Sequence, residues 1–596
     1  MSTWAGKLLK ADLSSRTFEV IGLERGELEK FLGGRGLGAR LLRSFGRHLC
    51  DPFDESAPLI LTASPLSATK APSSSRTSLT AISPLTNTVF ESNSGGRAGE
   101  YLRRAGFDAL FIEGVSSSPL RLDIGPGDPR FIDASSLWGL GNGAAREALK
   151  RENGKAACIT IGQAGENGSL IANVCNDGRF FGRGGLGALF GAKKLKAITI
   201  FGEGEVFPAD PEGFEFIVDE CKKLLSAHPI TSKGLPQFGT AVLMNVMNSV
   251  EALPTGNYRA GRFEGAERIS GEAIRDNILT GRHGCPGCQI VCGRRVTVDG
   301  EESEGPEFET LWAFGAALGL DDLSGIVRLN RLSNDLGLDT ISAGSTIAAA
   351  RELYEEGRLG WNPLEGGTEG IGELLAQMAK GEGRGAVLRD GSRELCDHSG
   401  APWASIAVKG LELPAYDPRG CQGQGLSYAT SSRGGCHLRA YMVAPEILAV
   451  PKLVDRFATS GKAGLVIVSQ NLNSAVDSIG MCRFTSFALK DDYYARLLSS
   501  VSGMEIDAQG LMTAGERIYN LERLINVERG FRRSDDTLPQ RLLSEPLAEG
   551  PSAGKVVELK AMLDEYYRFR GWDAEGRPTP QKLRSLGLAG SETEAG

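Results

Sequence analysis

The chain has 596 residues, which predicts more than one domain because a single hydrophobic core stops growing beyond roughly 250–300 residues. Hydrophobic residues at 41% and charged residues at 23% are typical of a soluble globular protein. The net charge of −8 argues against nucleic acid or an anionic membrane surface as the main partner.

The N-terminal segment MSTWAGKLLKADLSSRTFEV predicts two strands around a turn. It lacks the basic and apolar regions of a signal peptide, and no apolar run in the chain reaches the roughly 18 residues of a membrane span. We therefore expect a cytoplasmic protein whose eleven cysteines act as thiols or metal ligands rather than as disulfides.

Short segments rich in β-branched residues follow one another up to about residue 205, each bounded by Gly, Pro or Ser. The strands predicted there are PLILTAS, RTSLTAIS, ALFIEG, LRLDIG, AACITIG and LKAITIFG. Beyond about residue 210 the apolar residues take helical spacing, as in FEFIVDECKKLLSAH, TAVLMNVMNSVEA and SGIVRLNRLSNDLG. The sequence thus predicts an α+β protein, β-rich at first and mostly helical afterwards, with a disordered tail in GLAGSETEAG.

Two segments combine glycine with arginine, FLGGRGLGARLL at 31–42 and FFGRGGLGALFGAKKLKAITI at 180–200. Backbone N–H groups and cations in such loops can cradle phosphates, although the second matches neither a P-loop nor a dinucleotide-binding fingerprint. A tight turn followed by solvated lysines is the alternative. Together with SSSRTS around Arg76 and ESNSGG around Asn93, the two loops favour an extended anionic cofactor.

HGCPGCQIVCGRR, residues 283–295, places Cys285, Cys288 and Cys292 in a C-x2-C-x3-C run. Structural zinc normally needs two such knuckles, and no second one lies nearby in the sequence. Radical S-adenosylmethionine enzymes use the reverse order of spacings. A four-iron four-sulfur cluster with three local thiolates and one remote thiolate fits better, and the residues alone leave the fourth ligand open among Cys396, Cys421, Cys436 and Cys482.

Two residues are candidates for acid–base chemistry, Glu309 in EGPEFETLWAFG and His437 in SSRGGCHLRAYM. A carboxylate buried beside a redox centre can act as a base because burial raises its pKa. The structural alternatives are a solvated helix start for the glutamate and a packed imidazole for the histidine.

The segments NDLGLDTIS at 334–342 and VDSIGMCRF at 476–484 resemble each other. Each places an Asp shortly before a Gly and then an apolar residue, followed by Asp339 in the first and Cys482 in the second. We expect each to cap a helix with an Asp, and the pairing of the loops suggests a pseudo-symmetric ligand.

These motifs, in this order over nearly the whole chain, resemble those of the tungsten-containing aldehyde ferredoxin oxidoreductase family. The matching segments are FLGGRGLGARLL, SNSGG, GRGGLGA…KKLKAI, C-x2-C-x3-C, GPEFET, DLGLDTIS, DPRGCQGQGLSYATSSRGGCHLRAY and DSIGMC. The resemblance implies an N-terminal β-rich base domain over 1–208 that carries two pterin dithiolenes, and two mostly helical domains over 209–415 and 416–596 that cover them. It also implies four dithiolene sulfurs on tungsten, or on molybdenum in its place, and no protein ligand to that metal.

The same resemblance implies roles for individual residues. Cys482 becomes the fourth ligand of the [4Fe-4S] cluster, beside Cys285, Cys288 and Cys292. Arg76 is expected between cluster and pterin, and Asn93 near a Mg2+ ion that bridges the pterin phosphates. The full set of residues expected to contact the cofactor is Arg76, Asn93, Gly95, Arg183, Gly184, Asp335, Leu338, Asp339, Asp477 and Met481.

The implied reaction is the oxidation of an aldehyde to a carboxylic acid. Water, or an oxygen carried by the metal, attacks the carbonyl carbon while Glu309 acts as base and His437 donates a hydrogen bond or a proton to the carbonyl oxygen. The electrons then leave singly through the cluster to ferredoxin, or to an iron–sulfur or flavin partner subunit. A homodimer is left open, and no His lies between His283 and His398 to build the iron site that some family members carry at their dimer axis.

Two alternatives come with this resemblance. Catalytic subunits of tungsten-dependent benzoyl-CoA reductases share the pterin and cluster motifs but are thought to place a cysteine on the metal, whereas the first loop here ends in Asp339, which favours the aldehyde branch. A non-catalytic iron–sulfur or electron-transfer subunit is the other alternative, and it would leave nearly all of the chain without a role.

Overall fold

The N-terminal part of the molecule is built on two six-stranded sheets. A computed structural model describes residues 3–589, and residues 590–596 of the predicted disordered tail lie outside that range. The first sheet has the order β2-β1-β6-β3-β4-β5 and the second the order β11-β10-β9-β12-β7-β8. The strands are β1 Lys7–Asp12, β2 Thr17–Gly22, β3 Leu59–Thr62, β4 Thr77–Ile82, β5 Val89–Ser94, β6 Ala109–Glu113, β7 Leu120–Ile124, β8 Arg130–Asp133, β9 Ala157–Thr160, β10 Val174–Asn176, β11 Arg179–Phe181 and β12 Leu195–Ile200.

The first sheet is covered on both faces, which explains its apolar central strands. In β3, Leu59 and Leu61 pack against the second sheet, while Ile60 points to the opposite face and packs against helices. Such two-sided burial replaces the usual alternation with a continuous apolar run. The predicted N-terminal hairpin and all six predicted strands are present.

Six helices complete this part of the chain. They are α1 Arg25–Phe31, α2 Gly34–Ser44, α3 Ala98–Arg104, α4 Asn142–Glu152, α5 Gln163–Glu166 and α6 Leu186–Ala192. Both Gly/Arg segments of the sequence lead into a helix: α2 begins at Gly34, and α6 begins at Leu186, directly after Gly185.

The rest of the chain is mostly helical, which confirms the predicted α+β organisation. Its helices are α7 Pro211–Ala227, α8 Leu235–Phe238, α9 Leu243–Ser249, α10 Gly271–Asn277, α11 Phe308–Leu311, α12 Leu323–Leu336, α13 Thr340–Glu355, α14 Gly367–Lys380, α15 Ser392–His398, α16 Gln422–Thr430, α17 Val443–Glu446, α18 Lys462–Ile479, α19 Asp491–Ser502, α20 Ala508–Glu528, α21 Gln540–Ser544, α22 Leu559–Arg570 and α23 Pro580–Ser585. Among the helices of residues 3–589, none combines the length and the apolar character that crossing a membrane requires.

Small sheets interrupt the helical part. The strands β13 Leu279–His283, β14 Gly293–Val298 and β15 Glu301–Glu304 form an antiparallel sheet, and β16 Ala407–Val408 pairs with β17 Leu411–Glu412. The C-x2-C-x3-C run is the connection between β13 and β14, so a hairpin presents the three cysteines.

The two loops that resemble each other occupy equivalent places at the ends of helices. Helix α12 ends at Gly337 and α18 ends at Gly480, with φ of 80° and 86°, the left-handed conformation that glycine adopts readily at a helix end. Asp335 and Asp477 therefore lie in the last turn of a helix rather than at an N-cap, contrary to the expectation from sequence. Asp339 does cap a helix, because its side chain accepts a hydrogen bond at the start of α13.

Candidate functional site

Cys482 lies beside the loop that carries the other three cysteines, and Ser73 connects the two segments. The backbone N–H of Ser73 donates to Gly287 O at 3.1 Å, and its carbonyl accepts from Cys482 N at 2.9 Å. Its hydroxyl donates to Cys288 Sγ at 3.2 Å. Of the four remote cysteines that the sequence left open, Cys482 is thus the one held next to the C-x2-C-x3-C loop.

Arg76 contacts the same group of thiols. Its guanidinium donates to Cys482 Sγ at 3.1 Å, and its backbone N–H bonds Gly480 O, which fixes the loop after α18. On the other side, a Cβ atom added to Gly95 would overlap with Cys285 Sγ. The backbone of the SNSGG segment therefore approaches the cysteine loop as closely as only glycine permits.

The four thiols bear on the choice between zinc and an iron–sulfur cluster. Structural zinc requires four ligands at about 2.0–2.3 Å from one centre, and within residues 3–589 no three His, Cys, Asp or Glu side chains are gathered closely enough to hold a single metal ion. Iron–sulfur clusters are held by four cysteine thiolates, which is the donor set that Cys285, Cys288, Cys292 and Cys482 offer.

Asp477, in the second loop, lies in a buried network of charges. It accepts hydrogen bonds from Arg35 Nη1 and Arg439 Nη1, each at 3.3 Å, and from Asn93 Nδ2 at 3.1 Å. Arg35 forms a paired contact with both oxygens of Glu522 at 2.6 Å. The structure thus joins two of the predicted site residues, Asn93 and Asp477, across β5 and α18.

The first loop forms a second charged group. Arg183 Nε donates to Asp339 Oδ2 at 2.7 Å, and Arg183 Nη2 donates to Ser342 Oγ at 3.1 Å. Ser342 in turn donates to Glu412 Oε2 at 2.6 Å. Arg183, from the second Gly/Arg segment, and Asp339, the last residue of the first loop, are therefore in direct contact.

The remaining predicted contact residues are buried, except Asp335. Leu338 and Met481 are fully buried, and Gly184 packs so closely on Phe90 that a side chain there would overlap with the ring. Asp335 is exposed and accepts from Gly143 N at 2.8 Å, at the N-terminus of α4. Its carboxylate lies at the N-terminus of α4, where a negative charge is favourable. A contact between Asp335 and a pterin stays a prediction.

Glu309 and His437 face each other in the interior. Glu309 Oε1 lies 3.7 Å from His437 Nε2, and the side chains are 16% and 14% exposed. Glu309 Oε2 accepts from Ala415 N at 3.0 Å. Burial raises the pKa of Glu309 to about 7, against the hydrogen bond from Ala415 and the charge of Arg183. Burial, with Arg183, Arg433 and Arg483 nearby, lowers the pKa of His437 to about 3.

Aromatic rings enclose this pair. The centroid of Tyr416 lies 5.6 Å from that of Phe308 and 5.4 Å from that of His437. Tyr441 stands edge-on to Tyr416 at 5.5 Å. An apolar enclosure of this kind excludes water and strengthens the electrostatic interactions inside it.

Some buried polar atoms around this pair have no hydrogen-bond partner among residues 3–589. They include Glu309 Oε1, His437 Nδ1, Arg439 Nε, Arg483 Nε and Arg483 Nη1. Leaving such atoms unpaired costs on the order of 1–3 kcal/mol each, so a bound group with acceptor atoms is expected to meet the guanidinium donors. The arginines fit the phosphates and polar ring edges of pterin cofactors.

Several residues of the site were not identified from the sequence. Glu91 Oε2 accepts from Arg439 Nη1 at 3.0 Å. Ser73 lies in the SSSRTS segment, Glu91 in ESNSGG and Arg35 in FLGGRGLG, so each had a signal in its motif. Tyr416 immediately precedes DPRGC. Glu522 lies inside the amphipathic helix α20, where nothing distinguishes it from a surface carboxylate.

Comparisons with known proteins point to one family. A family model described as the N-terminal domain of aldehyde ferredoxin oxidoreductase matches residues 8–202, and one described as domains 2 and 3 matches residues 217–588. The chain is 41% identical to a tungsten-containing aldehyde ferredoxin oxidoreductase of Pyrococcus furiosus and 42% identical to one of Thermococcus kodakarensis, with 98% of this chain and 99% of each relative covered.

Similarity extends to more distant proteins. The WOR-like subunit of an aliphatic sulfonate oxidoreductase of Pyrococcus furiosus is 28% identical over the whole of this chain and 98% of its own length. Among solved structures, the active-site complex BamBC of benzoyl coenzyme A reductase, bound to 1,5-dienoyl-CoA, superposes with a TM-score of 0.85 at 25% identity. That match covers 98% of this chain and 97% of that one.

Proposed function

The chain belongs to the tungsten-containing aldehyde ferredoxin oxidoreductase family and is an oxidoreductase, and on that premise we propose that it oxidises an aldehyde to a carboxylic acid. The observation that carries this proposal is the buried pair of Glu309 and His437 at 3.7 Å, each with an unpaired polar atom. We further propose that the electrons leave through a [4Fe-4S] cluster to ferredoxin or to an iron–sulfur or flavin partner subunit.

The cofactor assignments follow from membership of the family and from the residues present. A tungsten-containing family implies a tungstopterin, which when bound would accept two electrons from the substrate carbon. Arg183 and Asp339 would hold one pterin. Asp477 would hold the other pterin, and Asn93, which contacts Asp477, would lie near the Mg2+ ion. Cys285, Cys288, Cys292 and Cys482 would hold the cluster.

The protein's own groups supply the proton chemistry. With a pKa of about 7, Glu309 is ionised in an appreciable fraction of molecules at neutral pH and accepts a proton from the attacking water. Because the pKa of His437 is about 3, its imidazole is neutral and donates a hydrogen bond to the carbonyl oxygen rather than a proton. Aldehyde and water together yield the carboxylate, two electrons and three protons, and the aromatic enclosure holds the aldehyde against the pair.

The benzoyl-CoA alternative is less well supported. Asp339 stands where a cysteine would be needed to reach the metal, and its carboxylate accepts from Arg183 Nε and from Ile341 N. The two aldehyde ferredoxin oxidoreductases compared with this chain are also more similar to it than BamBC is, at 41% and 42% against 25% identity.

Of the proposed domain division, 1–208, 209–415 and 416–596, the first boundary has support from the fold, and the second stays a prediction. The last strand of the two large sheets ends at Ile200, and the first long helix begins at Pro211. A cytoplasmic location stays a prediction.

The proposal is tested on protein purified without oxygen. Tungsten, iron and released pterin are measured per chain, and aldehydes of different size are offered with a viologen dye as electron acceptor. Tungsten, iron and pterin with aldehyde-dependent dye reduction are expected; iron without tungsten, molybdenum or pterin would make the chain an electron-transfer subunit instead.

A matched variant tests the cluster ligand. Cys482→Ser is expected to lose iron, because serine cannot replace the thiolate beside Ser73 and Arg76. Cys396→Ser, in the helical core, is the control and is expected to retain it. Full iron content in Cys482→Ser would show that the fourth ligand lies elsewhere.

A further inference from the structure

Arg179 lies next to the cysteine loop, on a strand that no part of the mechanism uses. It is the first residue of β11, which forms a tight hairpin with β10. A Cβ atom added to Gly95 would overlap with Cys285 Sγ and would lie 3.6 Å from Arg179 Cγ. The stem of Arg179 and the Cys285 thiol therefore pack against the same stretch of backbone.

Acidic side chains contact one nitrogen of the Arg179 guanidinium. Its Nη1 lies 3.2 Å from Glu304 Oε1 and 3.5 Å from Glu307 Oε1. Its Nη2 is buried and has no hydrogen-bond partner among residues 3–589. The side chain is 22% exposed, so water screens its charge weakly.

The electrostatic surroundings of this group include the thiols. Burial lowers the pKa of Arg179, but Glu307, Cys285, Glu304 and Cys292 outweigh it and hold the pKa above its ordinary value. A cation near enough to interact with Cys285 and Cys292 also interacts with any charge that those sulfurs carry. The unpaired Nη2 of Arg179 is a free N–H donor on the same guanidinium.

Glu307, one of the acidic partners of Arg179, is held in position by Thr240. Thr240 donates to Glu307 Oε2 at 2.6 Å, and the same hydroxyl accepts from Phe308 N at 2.8 Å. Glu307 directly precedes α11, the helix that carries Glu309. A rigid carboxylate at this point partly cancels the positive charge that Arg179 presents to the cysteines.

Reduction adds one negative charge to an iron–sulfur cluster, so a cation beside its sulfurs favours the reduced form, and N–H donors to the sulfurs act in the same direction. We propose that Arg179 raises the reduction potential of the cluster held by Cys285, Cys288, Cys292 and Cys482, and that Glu307 limits this effect. The inference rests on the proposed cluster. It gives the charge of Arg179 a role in electron transfer and none in the chemistry of the aldehyde.

The test is a redox titration of the holoenzyme, with the reduced cluster followed by electron paramagnetic resonance. Arg179→Gln is expected to move the midpoint potential to a more negative value, because a buried positive charge is lost. Glu307→Gln is expected to move it to a more positive value, because the charge of Arg179 is then less compensated. Arg295→Gln, at a position that is 57% exposed on β14, is the control and is expected to cause little change because water and salt screen that charge.

The outcomes separate this inference from the proposed function. A wild-type protein without a cluster signal would contradict the proposed function itself. A normal cluster signal with an unchanged midpoint in Arg179→Gln would overturn the inference alone. If Arg179→Gln loses its iron, the midpoint potential of Glu307→Gln becomes the test. A negative shift of that potential, or no shift, would also overturn the inference.

Discussion

Replacing Glu309 with Gln separates the catalytic role of this residue from its effect on stability. The carboxylate is buried, with one oxygen bound to Ala415 N and the other unpaired. Its pKa is raised from 4.5 to about 7, chiefly by burial. Gln has nearly the same shape, can accept the same bond from Ala415 through its carbonyl oxygen, and carries no charge.

The sign of the stability effect follows from proton linkage. Between pH 4.5 and about 7 the unfolded chain has released the proton that the folded protein retains, so stability falls as the pH rises through this window. A pKa rise from 4.5 to about 7 corresponds to a cost of roughly 3 kcal/mol above pH 7. The Gln variant does not bear this cost, so we expect it to equal the wild type near pH 4.5 and to be more stable at pH 8.

The activity of the variant is expected to fall, whereas its stability at pH 8 is expected to rise. General base catalysis contributes roughly 10²–10⁴-fold to a rate, and Gln cannot accept the proton. In the wild type, activity should rise with pH through about 7 as Glu309 ionises, and the variant should lose this dependence together with most of its turnover.

The assay compares wild type and Glu309→Gln in thermal unfolding at pH 5 and pH 8, with tungsten and iron measured in both proteins. Glu369→Gln, at a side chain that is 76% exposed, is the control and should differ little from wild type at either pH. Wild-type turnover in Glu309→Gln with intact metal content would refute the assignment of the base. An equal midpoint difference at the two pH values would refute the reasoning from burial.

Two further substitutions test the packing around the site. Glu522→Gln leaves Arg35 buried without its paired carboxylate and is expected to cost about 3–5 kcal/mol, measured by denaturant unfolding; a loss below about 1 kcal/mol would show that Asp477 alone can balance Arg35. Gly95→Ala places a methyl group against Cys285 Sγ and is expected to lower the iron content, whereas Gly26→Ala, with open space around the added atom, should not. Equal iron content in the two alanine variants would contradict the close approach.

Periodicity located the regular elements because burial imposes a simple pattern on the chain. The six predicted strands of the two large sheets have apolar side chains toward a core on at least one face. Strand β5, VFESNS, was not predicted, although it carries Asn93. Its Glu91 and Asn93 face a buried charged network instead of a core, so their polarity resembles that of a loop.

Local capping was predicted less well than the motifs themselves. An Asp of each of the two similar loops was expected to cap a helix, and Asp339 does so for α13. Asp335 and Asp477 instead lie in the last turns of α12 and α18, which Gly337 and Gly480 follow. Glycine in the left-handed conformation determined the helix end, and Asp477 takes its partners from Arg35 and Arg439 on distant segments.

The family, the order of the motifs and the inventory of thiols, carboxylates and arginines can be read from the sequence, because these are local patterns that the chain retains whatever its conformation. Which of these groups meet depends on the tertiary fold. Arg76 and Cys482 are 406 residues apart in the chain, and the pair of Glu309 and His437 depends on the packing of aromatic rings from separate segments. Contacts at such separations leave no periodic signal in the sequence, since they arise from how whole sheets and helices pack against one another.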